Sequence, residues 1–159
     1  MSREASIAIV EKMTSGVLSL AGEEGYPYGV PLSYVYLDGR LYFHSAVTGH
    51  KIDAIRRYDK ASFCIIEQDS IVPAEFTTYF RSVILFGRVH IVEEPEEKLR
   101  AIELIAQKYA PLVARELRDQ EIAKSMGHLC IIEMVIEKMS GKEAIELVKA
   151  GKRENEVNP

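Results

Sequence analysis

Residues 25–65 read GYPYGVPLSYVYLDGRLYFHSAVTGHKIDAIRRYDKASFCI, and the expectations for the rest of the chain work outward from them. From Gly29 to Leu37, Val30, Leu32, Tyr34 and Tyr36 alternate with Pro31, Ser33 and Val35, which is the period of a strand. Pro31 has no N–H to offer a ladder, so it points to an edge or a bulge. Asp38–Gly39 is a two-residue hairpin signal, and Arg40 to Ser45 is expected to pair back across it. The period then changes. Small and polar residues lead to Gly49, and Ile52, Ile55 and Tyr58 fall at helical spacing over Lys51–Tyr58. His50 and Lys51 therefore stand on the first turn of a helix, where open backbone N–H groups and the helix dipole favour an anion. A hydroxyl from Ser45 or Thr48, an imidazole and an ammonium together suit a phosphate. The same residues also fit a plainer arrangement, with Thr48 as an N-cap and Lys51 as a solvated lysine.

On the N-terminal side, residues 3–13 place Ile7, Val10 and Met13 at helical spacing. Gly16–Ala21 reads as a strand, and GEEGYP as a turn. Beyond the quoted stretch, Ala61–Glu67 reads as a strand followed by a loop containing Pro73. Phe76–Val92 is one long alternating run with Gly87 as a bulge or kink. Pro95 suits the first turn of a helix whose stripe is Leu99, Ile102, Ile105 or Ala106, and Tyr109. Pro111 breaks that helix, and a second runs to about Ser125. Leu129–Glu137 reads as a last strand, with Gly141 opening a helical tail through Lys149. Residues 1–150 form one domain, and the polar end, residues 151–159, is expected to be disordered. Short strands, tight turns and a few helices describe a mainly β domain, a small antiparallel barrel with peripheral helices.

Composition narrows the function classes. The chain has 159 residues, 47% hydrophobic and 28% charged, as expected of an ordinary globular domain. Its formal net charge of −4 argues against nucleic acid or an anionic membrane as a partner. Any affinity for phosphate is therefore local. No apolar run approaches the ~18 residues needed to cross a bilayer, and MSREASIAIVEKM does not read as a secretory signal. Cys64 and Cys130 each sit in an apolar strand pattern, as buried free thiols of a cytoplasmic protein do. Neither has a second ligand at metal-site spacing, so no metal centre is expected. No GxGxxG, GxSxG, HExxH or Walker-type loop is present.

Gly25–Ile65 resembles the flavin-binding core of the pyridoxamine 5'-phosphate oxidase-like FMN-binding split-barrel superfamily, with the nitroimidazole-resistance flavoproteins as the nearest likeness within it. RSVILFGRVHIVEEPEEKLRAIELIAQKYA (81–110) and IIEMVIEKMSGKEAIEL (131–147) are similar to later parts of the same family, in the expected order. The resemblance implies a split β-barrel, FMN as cofactor and a homodimer with FMN at its interface. It sets His50–Lys51 at a basic pair of the oxidase, with histidine in place of arginine. Ser45 falls at a phosphate-contacting threonine and Ser82 at a flavin-contacting glutamine. The oxidase's arginine on the preceding strand has no counterpart in GVPLS, and its substrate-phosphate residues find no match, which argues against vitamin B6 as substrate.

The candidate cofactor set is Val30, Pro31, Leu32, Ser33, His44, Ser45, Thr48, Gly49, His50, Lys51, Arg81 and Ser82. The segment Val30–Ser33 offers aliphatic walls and backbone groups to a flat ring. Arg81 and Ser82 lie mid-strand, where a flavin reaching from a second subunit would give the arginine a partner. His44 is the catalytic candidate. It and Ser45 are adjacent on a strand and face opposite ways, so one of them is expected to serve the site through its backbone. His44 suits either a polar place near the flavin or an ordinary barrel-wall histidine. His90 and His128 read as structural. The tyrosines at 26, 28, 34 and 36 read as core or dimer interface, and Gly141–Lys142 as a helix cap.

The function expected is that of an FMN-dependent oxidoreductase. An external electron donor such as a nicotinamide would reduce the flavin, and a small acceptor such as a nitroimidazole or another nitro-aromatic would receive the electrons. The alternatives are a flavin-binding module without turnover and a haem-binding relative in which His44 ligates iron.

Overall fold

In the computed structural model, described for residues 1–149, the chain builds a single seven-stranded antiparallel sheet. The strands are β1 (Ser15–Ala21), β2 (Pro27–Ser33), β3 (Val35–Leu37), β4 (Arg40–Ala46), β5 (Lys60–Val72), β6 (Thr77–Ile91) and β7 (Leu129–Glu143). Around them lie α1 (Arg3–Lys12), α2 (His50–Arg57), α3 (Pro95–Tyr109) and α4 (Arg115–Ser125). The sheet order is β2-β1-β5-β6-β7-β4-β3, with β2 at one edge and β3 at the other. These two strands are consecutive in the chain and separated only by Tyr34. A single residue spans no more than ~3.6 Å, so the two edges must meet. The sheet curls into a barrel that is not closed by a ladder, and its split lies at Tyr34.

The expected single strand over 29–37 is thus two strands. Tyr34 turns inward between them, fully buried, with its ring edge-on to Phe63 and its hydroxyl donating to the Val10 carbonyl at 2.7 Å. Pro31 lies on the edge strand, as its missing N–H requires; β2 pairs with β1 alone. The Asp38–Gly39 turn pairs β3 with β4 from Leu37↔Arg40 outward. Gly87 marks a register break, and a Cβ there would lie 2.0 Å from the Val135 carbonyl oxygen.

Two boundaries differ from expectation. β5 runs on to Val72 and β6 begins at Thr77, forming a long two-stranded arm where a loop was expected around Pro73. β7 continues to Glu143, so Gly141 is a strand residue and not a helix cap. Its hydrogen is needed because a Cβ would sit 2.2 Å from the Ser6 hydroxyl of α1. The helical turn begins only after Ala144, whose carbonyl accepts from the N–H of Leu147. The expected disorder of 151–159 lies outside the described residues.

Two apolar cores lie on the two sides of the wall. The interior core joins Leu18, Phe43, Phe63, Leu85, Ile132 and Met134 to Val10 of α1 and Ile52 of α2. The outer core lays Ala101, Ile102 and Ile105 of α3, with Ile122 of α4, against Val35, Tyr42, Leu129 and Ile131. β4 and the start of β7 are therefore covered on both faces. This explains why LCII (129–132) reads as an unbroken apolar run rather than an alternation. α3 is seated by Ala101, Ile102 and Ile105, whereas the expected stripe residue Leu99 is exposed. No helix among the described residues is long and apolar enough to cross a membrane.

Candidate functional site

The turn between β4 and α2 gathers half of the expected residues. His44, Ser45, Thr48, Gly49, His50 and Lys51 line one pocket of about 370 Å³ with Ala46 and Tyr28 of β2. Gly49 is the N-cap of α2 at φ 123°, which an L side chain rarely adopts, and no side chain caps the helix. Thr48 is therefore not the N-cap. The Gly49 carbonyl accepts from the N–H groups of Ile52 and Asp53, which leaves those of His50 and Lys51 as the open donors of the first turn. A Cβ on Gly49 would meet nothing within 4 Å, so the space above the turn is free for a ligand.

The charges around this turn are uneven. Burial pushes the Lys51 ammonium below the usual lysine pKa, the signature of a cation held partly out of water. The His50 ring stands edge-on to Tyr28, with centroids 4.4 Å apart, and its Nδ1 lies 3.9 Å from Glu23 Oε1. Arg57 holds the same carboxylate at 3.1 Å. Among the described residues no carboxylate lines the pocket itself. An ammonium, an imidazole, two hydroxyls and two helix-start N–H groups form a donor set that fits a phosphate monoester.

Of the remaining candidates, Val30 and Leu32 point inward and pack on the interior core, while Pro31 and Ser33 face out of the edge strand. Arg81 and Ser82 line no part of this pocket. Arg81 lies near two carboxylates, Glu143 at 3.4 Å and Glu67 at 3.9 Å. Glu67 sits where the β5–β6 register breaks, between Ile66 and Gln68, and its Oε2 is buried without a hydrogen bond.

His44 and Ser45 diverge as adjacent strand residues must. His44 shares the Tyr42 face, opposite Ile131, and Ser45 lies opposite Cys130. The His44 face is the one that α3 and α4 cover, and there a second cavity opens. At about 660 Å³ it is the larger of the two, and among the described residues His44 alone lines both.

Two further constellations have no counterpart in the sequence reading. Tyr109, expected only as a stripe residue, clasps the barrel split: its hydroxyl accepts from the Tyr34 N–H at 2.9 Å and lies 2.8 Å from the Tyr34 carbonyl and against that of Thr14. Glu133, almost fully buried in β7, stands directly between Tyr42 on β4 and His90 on β6. It accepts from Tyr42 at 3.0 Å, pairs with His90 at 2.9 Å and binds Arg40. Burial, with this carboxylate beside it, pushes the Tyr42 hydroxyl up to about 12. His90 thus has the partner its sequence neighbourhood lacked. Sequence spacing gives no sign of such a cross-strand triad.

The model of the family described as pyridoxamine 5'-phosphate oxidase matches residues 2–143. No curated protein matches the chain. Among solved structures, a candidate 5-nitroimidazole antibiotic resistance protein of Bacteroides thetaiotaomicron has a TM-score of 0.73 at 21% identity, covering 88% of this chain and 82% of its own. An FAD-binding protein of Mesorhizobium loti has 0.62 at 24% identity, covering 91% and 96%. An FAD- and haem-binding protein of Mycobacterium smegmatis has 0.69 at 18% identity, covering 94% and 78%. At these identities the likeness is one of fold. The family match runs from the start of α1 to the last residue of β7 and takes in the whole split barrel, so this chain belongs to the pyridoxamine 5'-phosphate oxidase family.

Proposed function

We propose that this protein is an FMN-binding oxidoreductase that passes electrons from an external donor such as a nicotinamide to a small acceptor such as a nitroimidazole or another nitro-aromatic. The observation that carries the reading is the β4–α2 turn, where Lys51, His50, the two hydroxyls and the open N–H groups surround a carboxylate-free pocket. That donor set suits one terminal phosphate and offers no adenosine site. When bound, the flavin supplies the redox chemistry. The chain's own residues anchor the phosphate at Lys51 and His50 and offer the outer face of Pro31 and Ser33 to the ring. His44 is placed to hydrogen-bond an acceptor's oxygen or to hold a proton beside it.

The protein is further proposed to be a cytoplasmic homodimer with FMN at its interface and with Arg81 and Ser82 acting from the partner subunit. The β5–β6 arm supports this, since Phe76, Ile71 and Ile66 are 99%, 75% and 61% exposed. Parallel titrations of the apoprotein with FMN, FAD and riboflavin test the anchor. FMN should bind most tightly, and equal affinity for riboflavin would sink the assignment. FAD is included because two structural neighbours bind it. A flavin band near ~450 nm that bleaches with donor and returns with a nitro compound separates an enzyme from a carrier. A Soret band would instead favour haem, which the Mycobacterium smegmatis neighbour binds.

A further inference from the structure

The cavity between the outer barrel wall and α3–α4 is built unlike the phosphate pocket. Its walls are Ile102, Ile105, Val113, Leu117, Ile122 and Leu129, and its volume of about 660 Å³ lies within the range of small-molecule sites. Most polar groups around it are already engaged. The Tyr109 hydroxyl holds the Tyr34 backbone, and Ser33 lies against that hydroxyl. Arg118 points to the Ala110 carbonyl at 3.5 Å, Glu121 pairs with Lys124 at 3.3 Å, and Ser125 donates to the Glu121 carbonyl at 2.9 Å. The His44 imidazole has no such partner among the described residues. The apolar connection APLVA (110–114) leaves Leu112 98% exposed beside this region, and α4 buries only Ile122. Helices that served only to cover the wall would fill this space with side chains.

We infer that the α3–α4 cavity is a binding chamber for an uncharged, mainly apolar aromatic molecule whose single carbonyl or nitro oxygen accepts a hydrogen bond from His44. A lone five-membered nitro-heterocycle would leave most of the chamber empty, so among the acceptors proposed above the cavity favours nitro-aromatics of two or more rings over a nitroimidazole. A charged ligand is disfavoured because the walls are mainly apolar and the two charged groups on the lining, Arg118 and Glu121, are of opposite sign and leave no net countercharge. The chamber meets the phosphate pocket at His44 and is also lined by Ser33, on the strand face offered to the flavin ring, which makes it the compartment in which an acceptor waits beside the flavin. That role rests on the function proposed above; the binding itself does not.

The test uses the full-length protein with N-phenyl-1-naphthylamine, a neutral dye that fluoresces in apolar surroundings. Saturable binding is expected, with displacement by the neutral ketone 1-acetonaphthone and not by 1-naphthoate. Ala106→Phe fills the chamber, and Leu117→Asp puts a charge at a wall position that is 59% exposed. Each should weaken dye binding about tenfold or more while FMN affinity stays at the wild-type value. His44→Ala should remove the preference for 1-acetonaphthone over naphthalene. The inference is overturned if the dye does not saturate, if both variants bind it like the wild type, or if naphthoate competes equally. Loss of FMN binding with the dye results intact would instead count against the flavin reading and leave the chamber standing.

Discussion

Burial lowers the pKa of the Lys51 ammonium, whereas a phosphate beside it favours the charged form and raises it. Below the lowered value the side chain is charged and anion binding is at full strength. As pH rises through that value the charge is lost, so FMN affinity should decline before the ~10.4 at which an ordinary lysine titrates. Lys51→Met should weaken FMN by about 1.5–3 kcal/mol, the worth of a hydrogen bond to a charged group, and should flatten that alkaline decline. Equilibrium titration of both proteins across pH measures each effect. At His44 the expected result is different in kind. His44→Ala should leave flavin loading unchanged and lower the rate per bound flavin by roughly 10²–10⁴-fold, the usual contribution of a positioned acid. Lost loading with an unchanged rate per bound flavin would place His44 among the cofactor ligands and not at the acceptor.

Tyr109 is where two elements depend on one atom. The end of α3 delivers its hydroxyl to the gap between β2 and β3, where no ladder satisfies the Tyr34 backbone. Lys108 beside it donates to the Met13 carbonyl at 2.7 Å and lies 4.5 Å over the Tyr34 ring, with burial lowering its pKa. Tyr109→Phe keeps the ring and removes the hydroxyl, leaving a part-buried N–H and C=O unpaired. It should cost about 1–3 kcal/mol in urea unfolding, as unsatisfied buried groups do. Amide exchange should rise first at Tyr34 and along β2, since that edge has no other partner than β1. A variant as stable as wild type would show that the curl of the sheet closes the barrel without the clasp.

At the scale of the whole molecule, the β5–β6 arm carries apolar side chains far from either core. Phe76 sits at its tip in a left-handed conformation, φ 51°, almost fully exposed. A sedimentation experiment should give a species of twice the 17.9 kDa chain mass. Phe76→Asp should shift it toward the monomer and make the unfolding midpoint independent of protein concentration, because the residue contributes nothing to the cores of a single chain and acts only between chains. Flavin affinity should fall as the dimer is lost if Arg81 and Ser82 act across the interface. A wild-type monomer that holds FMN tightly would remove both the dimer and that role for Arg81.

Local chemistry makes most of the elements legible in the sequence itself. Pro31 lacks an N–H and Asp38–Gly39 favours a tight turn. Gly49 frees the backbone at a helix start, and Pro95 suits a first helical turn. These are properties of residues with their immediate neighbours, and the fold uses each in the role it implies. The grouping of Ser45, Thr48, His50 and Lys51 is readable for the same reason, since one turn of chain contains it. Tertiary structure alone decides the rest. Tyr34 splits a strand because curling the sheet brings its two edges together. Gly141 stays in β7 because α1 packs against it. Glu133 is shared by Tyr42 and His90 because β4 and β6 flank β7, although the three are far apart in sequence. The chamber beside His44 exists only where α3 and α4 lie over the outer wall. Spacing along a chain records what a residue needs from its neighbours, and these features depend on which distant surfaces the fold sets against them.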